Sequence, residues 1–285
     1  MKNLTWIIAI VLLASCQIKG ENDQIKHWEK QLTAISQLQK TAQTVHPLFC
    51  KLYPIALVEK NSVYIFTADN EQTGYRFSKK AESKIAYSKG IRAAFPLEEN
   101  DWQTTCVVSP EAFNNLKDRI LIFHEFVHCY QAETCEQALK TNLQIYREEM
   151  AQQHYMWEID YPFPYETIAD QYHEYLTSLE NGKIELAASQ RQELRSRLSL
   201  TQEEYLVWQE WKEGSARYLE NKLNLACGLE RNDFGLKQDF SRITFYAGGE
   251  RLISLLTQQN SELLNDFAAL YQAIDEFGKR ETNTR

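Results

Sequence analysis

Residues 119–131 read Arg-Ile-Leu-Ile-Phe-His-Glu-Phe-Val-His-Cys-Tyr-Gln and contain His124-Glu125-Phe126-Val127-His128, an H-E-x-x-H pattern. In a chain of this composition the pattern arises by chance about 0.01 times, so coincidence is a poor account of it. Side chains four residues apart on a helix share a face, which points both imidazoles the same way. Two such nitrogens are ligands for a zinc ion, and the glutamate after the first can take a proton from water beside it. The expected roles are His124 and His128 as metal ligands and Glu125 as general base. The run Ile120, Leu121, Ile122, Phe123, Phe126 and Val127 is apolar. Desolvating two histidines there is costly unless something binds them, and a cation removes that cost. Gln131, three residues beyond His128, shares its face and could orient that ligand.

A catalytic zinc takes a third protein ligand and keeps a fourth position open. The metzincin arrangement requires Gly at position 131 and His at 134; the chain has Gln131 and Thr134, which excludes it. A carboxylate from a later helix is the other solution, and two segments offer one. In Trp211-Lys-Glu-Gly-Ser-Ala-Arg-Tyr-Leu-Glu220, Glu213 is followed by Gly214, Ser215 and Ala216. Three small residues in a row weaken a helix, and suit one that must approach another closely. In Pro164-Tyr-Glu-Thr-Ile-Ala-Asp170 the candidate is Glu166. Its place in the first turn after a proline is already accounted for by the helix dipole.

The segment Glu213 to Glu220 resembles the E-G-x-A-x-Y-x-E helix of gluzincin-type zinc metallopeptidases of the MA clan, whose first Glu completes the metal site. His124 through Gln131 matches an H-E-x-x-H-x-x-Q form, and Tyr246-Ala-Gly-Gly249 resembles the aromatic-glycine segment of a following helix. The resemblance covers about residues 111–260, and its specific part is the His-Glu pair plus the E-G-x-A-x-Y segment. It implies a zincin-like fold, a bound Zn2+, Glu213 as third ligand and hydrolysis of peptide bonds in a peptide or protein substrate. Glu166 with Asp170 fits the E-x-x-A-D form of other gluzincins, so both glutamates stay open. The 84 residues between His128 and Glu213 exceed the spacing of compact members and imply an inserted helical pair. For the oxyanion formed on the attacked carbonyl the expected donor is Tyr246, with His154, His173 and Arg217 as further candidates.

The chain starts with Lys2 and the apolar run Trp6 to Ala14, too short for a membrane span and built like the core of a secretory signal. Leu13-Ala14-Ser15-Cys16 resembles a bacterial lipobox, which implies a leader at 1–15, cleavage before Cys16 and acylation of Cys16. The expectation is an exported lipoprotein tethered to the bacterial cell envelope by its lipid, with Gln17 pointing to the outer membrane. The net charge is −8, which offers no broad basic surface and argues against nucleic acid. Lys79, Lys80, Lys84, Lys89 and Arg92 form one local exception, read as a solvated hairpin. Of the cysteines beyond Cys16, the pair expected to bridge, if any does, is Cys50 with Cys106.

These residues need elements to hold them. Ile25, Trp28, Leu32, Ile35, Leu38 and Ala42 recur at helical spacing across residues 25–45, and Pro47 stops that helix. The period then changes to short β-branched and aromatic runs at 54–58, 62–67, 90–95 and 102–108, read as a small, mostly antiparallel sheet. The last run precedes the motif helix, where a free strand edge could pair with an extended peptide. Ser109-Pro110-Glu111 marks a helix start, predicting a helix from about 111 through the motif. From Glu136 onward the chain reads as helical, broken at 161–164, 181–182, 227–237 and 259–260. The fold class is therefore α+β, mostly α: a small N-terminal sheet followed by a helical bundle. The expected division is 1–15 leader, 16–24 lipidated cysteine and tether, 25–110 helix-and-sheet lobe, and 111–280 helical metallopeptidase-like region. The last two form a single catalytic domain.

Three readings fit: a membrane-anchored zinc metallopeptidase, an inactive zincin-like lipoprotein that binds or scaffolds, or a helical lipoprotein that holds no metal. An intact Glu125 favours the first, since a structural metal has no use for a base.

Overall fold

Helices take 63% of the residues and the only sheet among the described residues lies near the N-terminus, so the fold is α+β and mostly α. The structure is a computed structural model that describes residues 2–279, with side chains from residue 22 onward. Cys16 and the apolar run before it therefore have side chains outside the described residues. Two compact units divide within the motif helix, one of residues 1–126 and one of residues 127–285. Among the described residues no helix is long and apolar enough to cross a membrane.

The first unit opens with α1 (Lys2–Val45). Its apolar stripe follows the expected spacing: Trp28, Leu32, Ile35, Leu38 and Ala42 are all buried. Trp28 packs on Phe113 with ring centroids 6.0 Å apart, and Gln39 donates to the Phe49 carbonyl at 3.0 Å. Five strands follow: β1 (Ile55–Glu59), β2 (Ser62–Ala68), β3 (Tyr75–Glu82), β4 (Arg92–Leu97) and β5 (Gln103–Val108). They lie in the order β3-β2-β1-β5-β4. β1/β2, β2/β3 and β4/β5 are antiparallel, as expected, whereas β1 and β5 run parallel, with Ile55 opposite Cys106. Ala56, Val58, Val63, Ile65, Leu97 and Val107 cluster on one face.

Three expectations are corrected in this unit. β5 is not an edge: it pairs with β4 along its length and with β1 over residues 106–108. The edges are β3 and β4. Cys50 and Cys106 do not bridge: Cys50 is exposed and Cys106 is buried in β5. Ser109 does not cap the motif helix. Pro110–Phe113 forms a separate 3-10 turn, and the Ser109 hydroxyl accepts the Gly90 N–H at 3.0 Å. The motif helix, α2 (Leu116–Thr134), starts later, where the Asn115 side chain accepts the Asp118 N–H at 3.0 Å. The basic stretch is neutralised locally: Lys79 pairs with Asp101, Lys84 with Glu98, Lys89 with Glu111 and Arg92 with Asp118.

The second unit begins in the latter part of α2 and continues through α3 (Glu136–Asn142), α4 (Gln144–Ala151), α5 (Trp157–Asp160), α6 (Tyr165–Glu180), α7 (Ile184–Ser196), α8 (Leu200–Ala226), α9 (Arg242–Gln259) and α10 (Phe267–Glu276). α8 is its axis, with α4, α9 and α10 packed against it, while α6 and α7 pair with each other. Ser199 and Gln202 form a reciprocal capping box at its start. From Tyr205 to Asn224 almost every α8 residue is buried, a helix enclosed on all sides.

Candidate metal centre

His124, Glu125 and His128 lie on α2 and are buried, at 6%, 8% and 7% exposure. One turn separates the two histidines, the geometry the spacing dictates. Glu213 comes from α8 and is nearly as enclosed. Its Oε2 stands 3.4 Å from His128 Nε2. Donor atoms of His124, His128 and Glu213 all lie within 4.8 Å of one another, the one such group of three or more potential ligands among the described residues.

The orientation of His128 follows from a chain of hydrogen bonds. Gln131 Nε2 donates to the Lys212 carbonyl at 3.2 Å and to Ser215 Oγ at 2.9 Å. A backbone carbonyl only accepts, so the amide nitrogen must face α8 and the amide oxygen must face the histidine. Gln131 Oε1 lies 2.8 Å from His128 Nδ1, which therefore carries a hydrogen. In the neutral ring the lone pair is then on Nε2, the nitrogen that faces Glu213. A lone pair and a carboxylate oxygen 3.4 Å apart repel unless a proton or a cation lies between them. Two ligands about 2.0–2.1 Å from a tetrahedral zinc ion are themselves about 3.3 Å apart, so this edge of the site already has the right length. Two imidazoles and a carboxylate are a donor set that zinc accepts. The donor types and the His128–Glu213 edge would suit such an ion.

Small residues bring Glu213 to this position. A Cβ on Gly214 would stand 2.6 Å from the Gly249 Cα, and one on Gly249 would stand 2.0 Å from the Glu210 carbonyl oxygen. α8 and α9 thus touch backbone to backbone at the E-G-S-A and Y-A-G-G segments. Gly248 leaves room for the Tyr172 hydroxyl. That hydroxyl donates to Glu210 Oε1 at 2.7 Å, and Arg191 pairs with the same carboxylate at 2.5 Å, fully buried. The aromatic-glycine segment is therefore a packing device as well as the carrier of Tyr246.

Tyr246 is buried on α9, with the Arg242 guanidinium over its ring at 5.3 Å and that of Arg217 at 5.7 Å. Arg217 is engaged elsewhere: it donates to the Asn232 and Phe234 carbonyls and pairs with Glu220. Both ring nitrogens of His154 face carboxylates, Glu149 and Asp160. Glu149 foremost, then Asp160, holds its pKa above the ordinary histidine value. His173 is exposed beside Phe240. Glu166 and Asp170 are exposed on α6 and do not belong to the ligand group.

Sequence reading missed two residues. Ser215 accepts from Gln131, and its only signal was its place among small residues. Arg242, whose Nη1 lies 3.7 Å from Glu213 Oε1, had none beyond standing one turn before Tyr246. No family model, no curated protein and no solved structure matches the chain.

Proposed function

We propose that this chain is a gluzincin-like, zinc-dependent metallopeptidase, exported and held at the bacterial envelope by a lipid on Cys16. The supporting observation is the convergence of His124, His128 and Glu213, with His128 held by Gln131 so that its Nε2 faces the carboxylate. A bound zinc ion supplies Lewis acidity, bringing the pKa of water toward neutrality and polarising a carbonyl. Glu125 accepts a proton from the attacking water as the water oxygen bonds to the peptide carbon. The same carboxyl then hands that proton to the leaving nitrogen as the C–N bond breaks. Tyr246 is assigned as the hydroxyl that donates to the carbonyl oxygen as it becomes negative. Its ring is fixed by the two guanidinium groups stacked over it.

The test compares wild type with Glu125→Ala on a mixed peptide library, alongside elemental analysis. The expected outcome is one zinc per chain in both and digestion by wild type alone. Identical digestion profiles remove the enzymatic claim, and a metal-free wild-type protein removes the centre.

A further inference from the structure

Arg242 is the first residue of α9, and its side chain is 22% exposed. Its hydrogen bonding among the described residues is thin: Nη1 lies 3.5 Å from Gln209 Oε1 and 3.7 Å from Glu213 Oε1. A guanidinium hydrogen bond ordinarily spans about 2.7–3.2 Å, so neither contact occupies the fork at full strength. What holds the group is the face of Tyr246, 5.3 Å away. The other enclosed arginines differ. Arg191 has Glu210 at 2.5 Å, and Arg217 has two carbonyls and Glu220.

A planar fork with donors in hand is built for a carboxylate, which it binds through two parallel hydrogen bonds. This one sits beside the proposed third ligand, in a chain of net charge −8 whose centre contributes Glu125 and Glu213. Beside that centre the Arg242 fork is a cation that an anionic substrate end can reach. We infer that Arg242 binds the free C-terminal carboxylate of the substrate, so that the centre trims peptides from that end. This rests on the peptidase reading above.

Three peptides that differ only at the last residue test it: the free acid, the C-terminal amide, and the amide with Asp as its last residue. Wild type is expected to prefer the free acid over the plain amide by about a hundredfold in kcat/KM. In Arg242→Ala and Arg242→Lys that ratio falls toward one, which misfolding alone does not produce because it lowers both rates together. Equal rates on acid and plain amide overturn the inference, and so does a full rate on the Asp-bearing amide, which makes the carboxylate a side-chain group. Calorimetry separates a failure here from a failure of the peptidase reading. Zinc-loaded Glu125→Ala is titrated with an N-acetyl dipeptide as acid and as amide, with and without Arg242→Ala. A preference for the acid that depends on Arg242 upholds the carboxylate site even if no peptide is cleaved; no preference overturns it whatever is cleaved.

Discussion

Gln131 Oε1 accepts from His128 Nδ1 at 2.8 Å while Gln131 Nε2 donates to the Lys212 carbonyl, so the residue just before Glu213 sets the ring orientation of His128. Loss of this link leaves the ring free to rotate and to adopt the other tautomer. Gln131→Leu is expected to lower zinc affinity about 10- to 100-fold, measured by competition with a chelator of known affinity. An unchanged affinity removes the orienting role.

Glu213→Gln keeps the shape of the side chain but exchanges a charged oxygen for an amide. Its zinc content after dialysis against a weak chelator should fall well below that of wild type, whereas Glu166→Gln should hold its metal. The reverse pattern transfers the third-ligand role to α6.

Gly249→Ala places a Cβ 2.0 Å from the Glu210 carbonyl, a backbone atom on a buried helix that cannot swing aside. The expected destabilisation is about 3 kcal/mol, read as a fall in Tm on the order of 10 °C. Zinc affinity should fall with it, because the α8–α9 contact carries Glu213. A variant as stable as wild type shows that the helices can separate without consequence.

The buried Arg191–Glu210 pair holds α7 to α8, with Tyr172 of α6 on the same carboxylate. Glu210→Ala leaves a buried guanidinium without its counter-charge and is expected to cost about 3–5 kcal/mol in urea unfolding. Replacing both partners by methionine should cost less than the single change. A double variant as unstable as the sum of the singles contradicts that coupling.

Glu158 lies between the ammonium groups of Lys212 and Lys140, each 2.5 Å from one of its oxygens. Burial pushes its carboxyl up, but Lys212 first and then Lys140 outweigh that and hold it down, from 4.5 to about 2. A folded pKa below the unfolded one gives stability that is present above about pH 4.5 and lost as pH falls toward 2. Wild type should therefore lose stability more steeply than Glu158→Gln between those values. Parallel unfolding free energies across that range contradict the assignment.

Residues 25–45 and 120–128 show what a local rule can settle. Helix geometry repeats every 3.6 residues whatever the rest of the chain does, so the buried stripe of α1 and the shared face of His124 and His128 follow from spacing alone. Four of the five strands were legible as β-branched and aromatic runs, whereas β3, Tyr75–Glu82, rich in lysine and polar residues, was not expected as a strand although its burial alternates along its length. The α+β class, mostly helical with the sheet first, rests on nothing more.

Sheet order, and which distant residue meets which, belong to the tertiary structure. β1 and β5 are joined in parallel between positions 51 residues apart, and no property of 103–108 read alone says that β1 and β4 flank it. Ser109 looked like a cap and instead serves a Gly90 amide, while Asn115 begins the helix. Glu213 and Glu166 were equal in type. Only the contact of Gly214 with Gly249, and the bond from Gln131 to Lys212, bring one of them to the histidines. Such choices are made by packing and hydrogen bonding summed over residues far apart in the chain, terms that no single window of sequence contains.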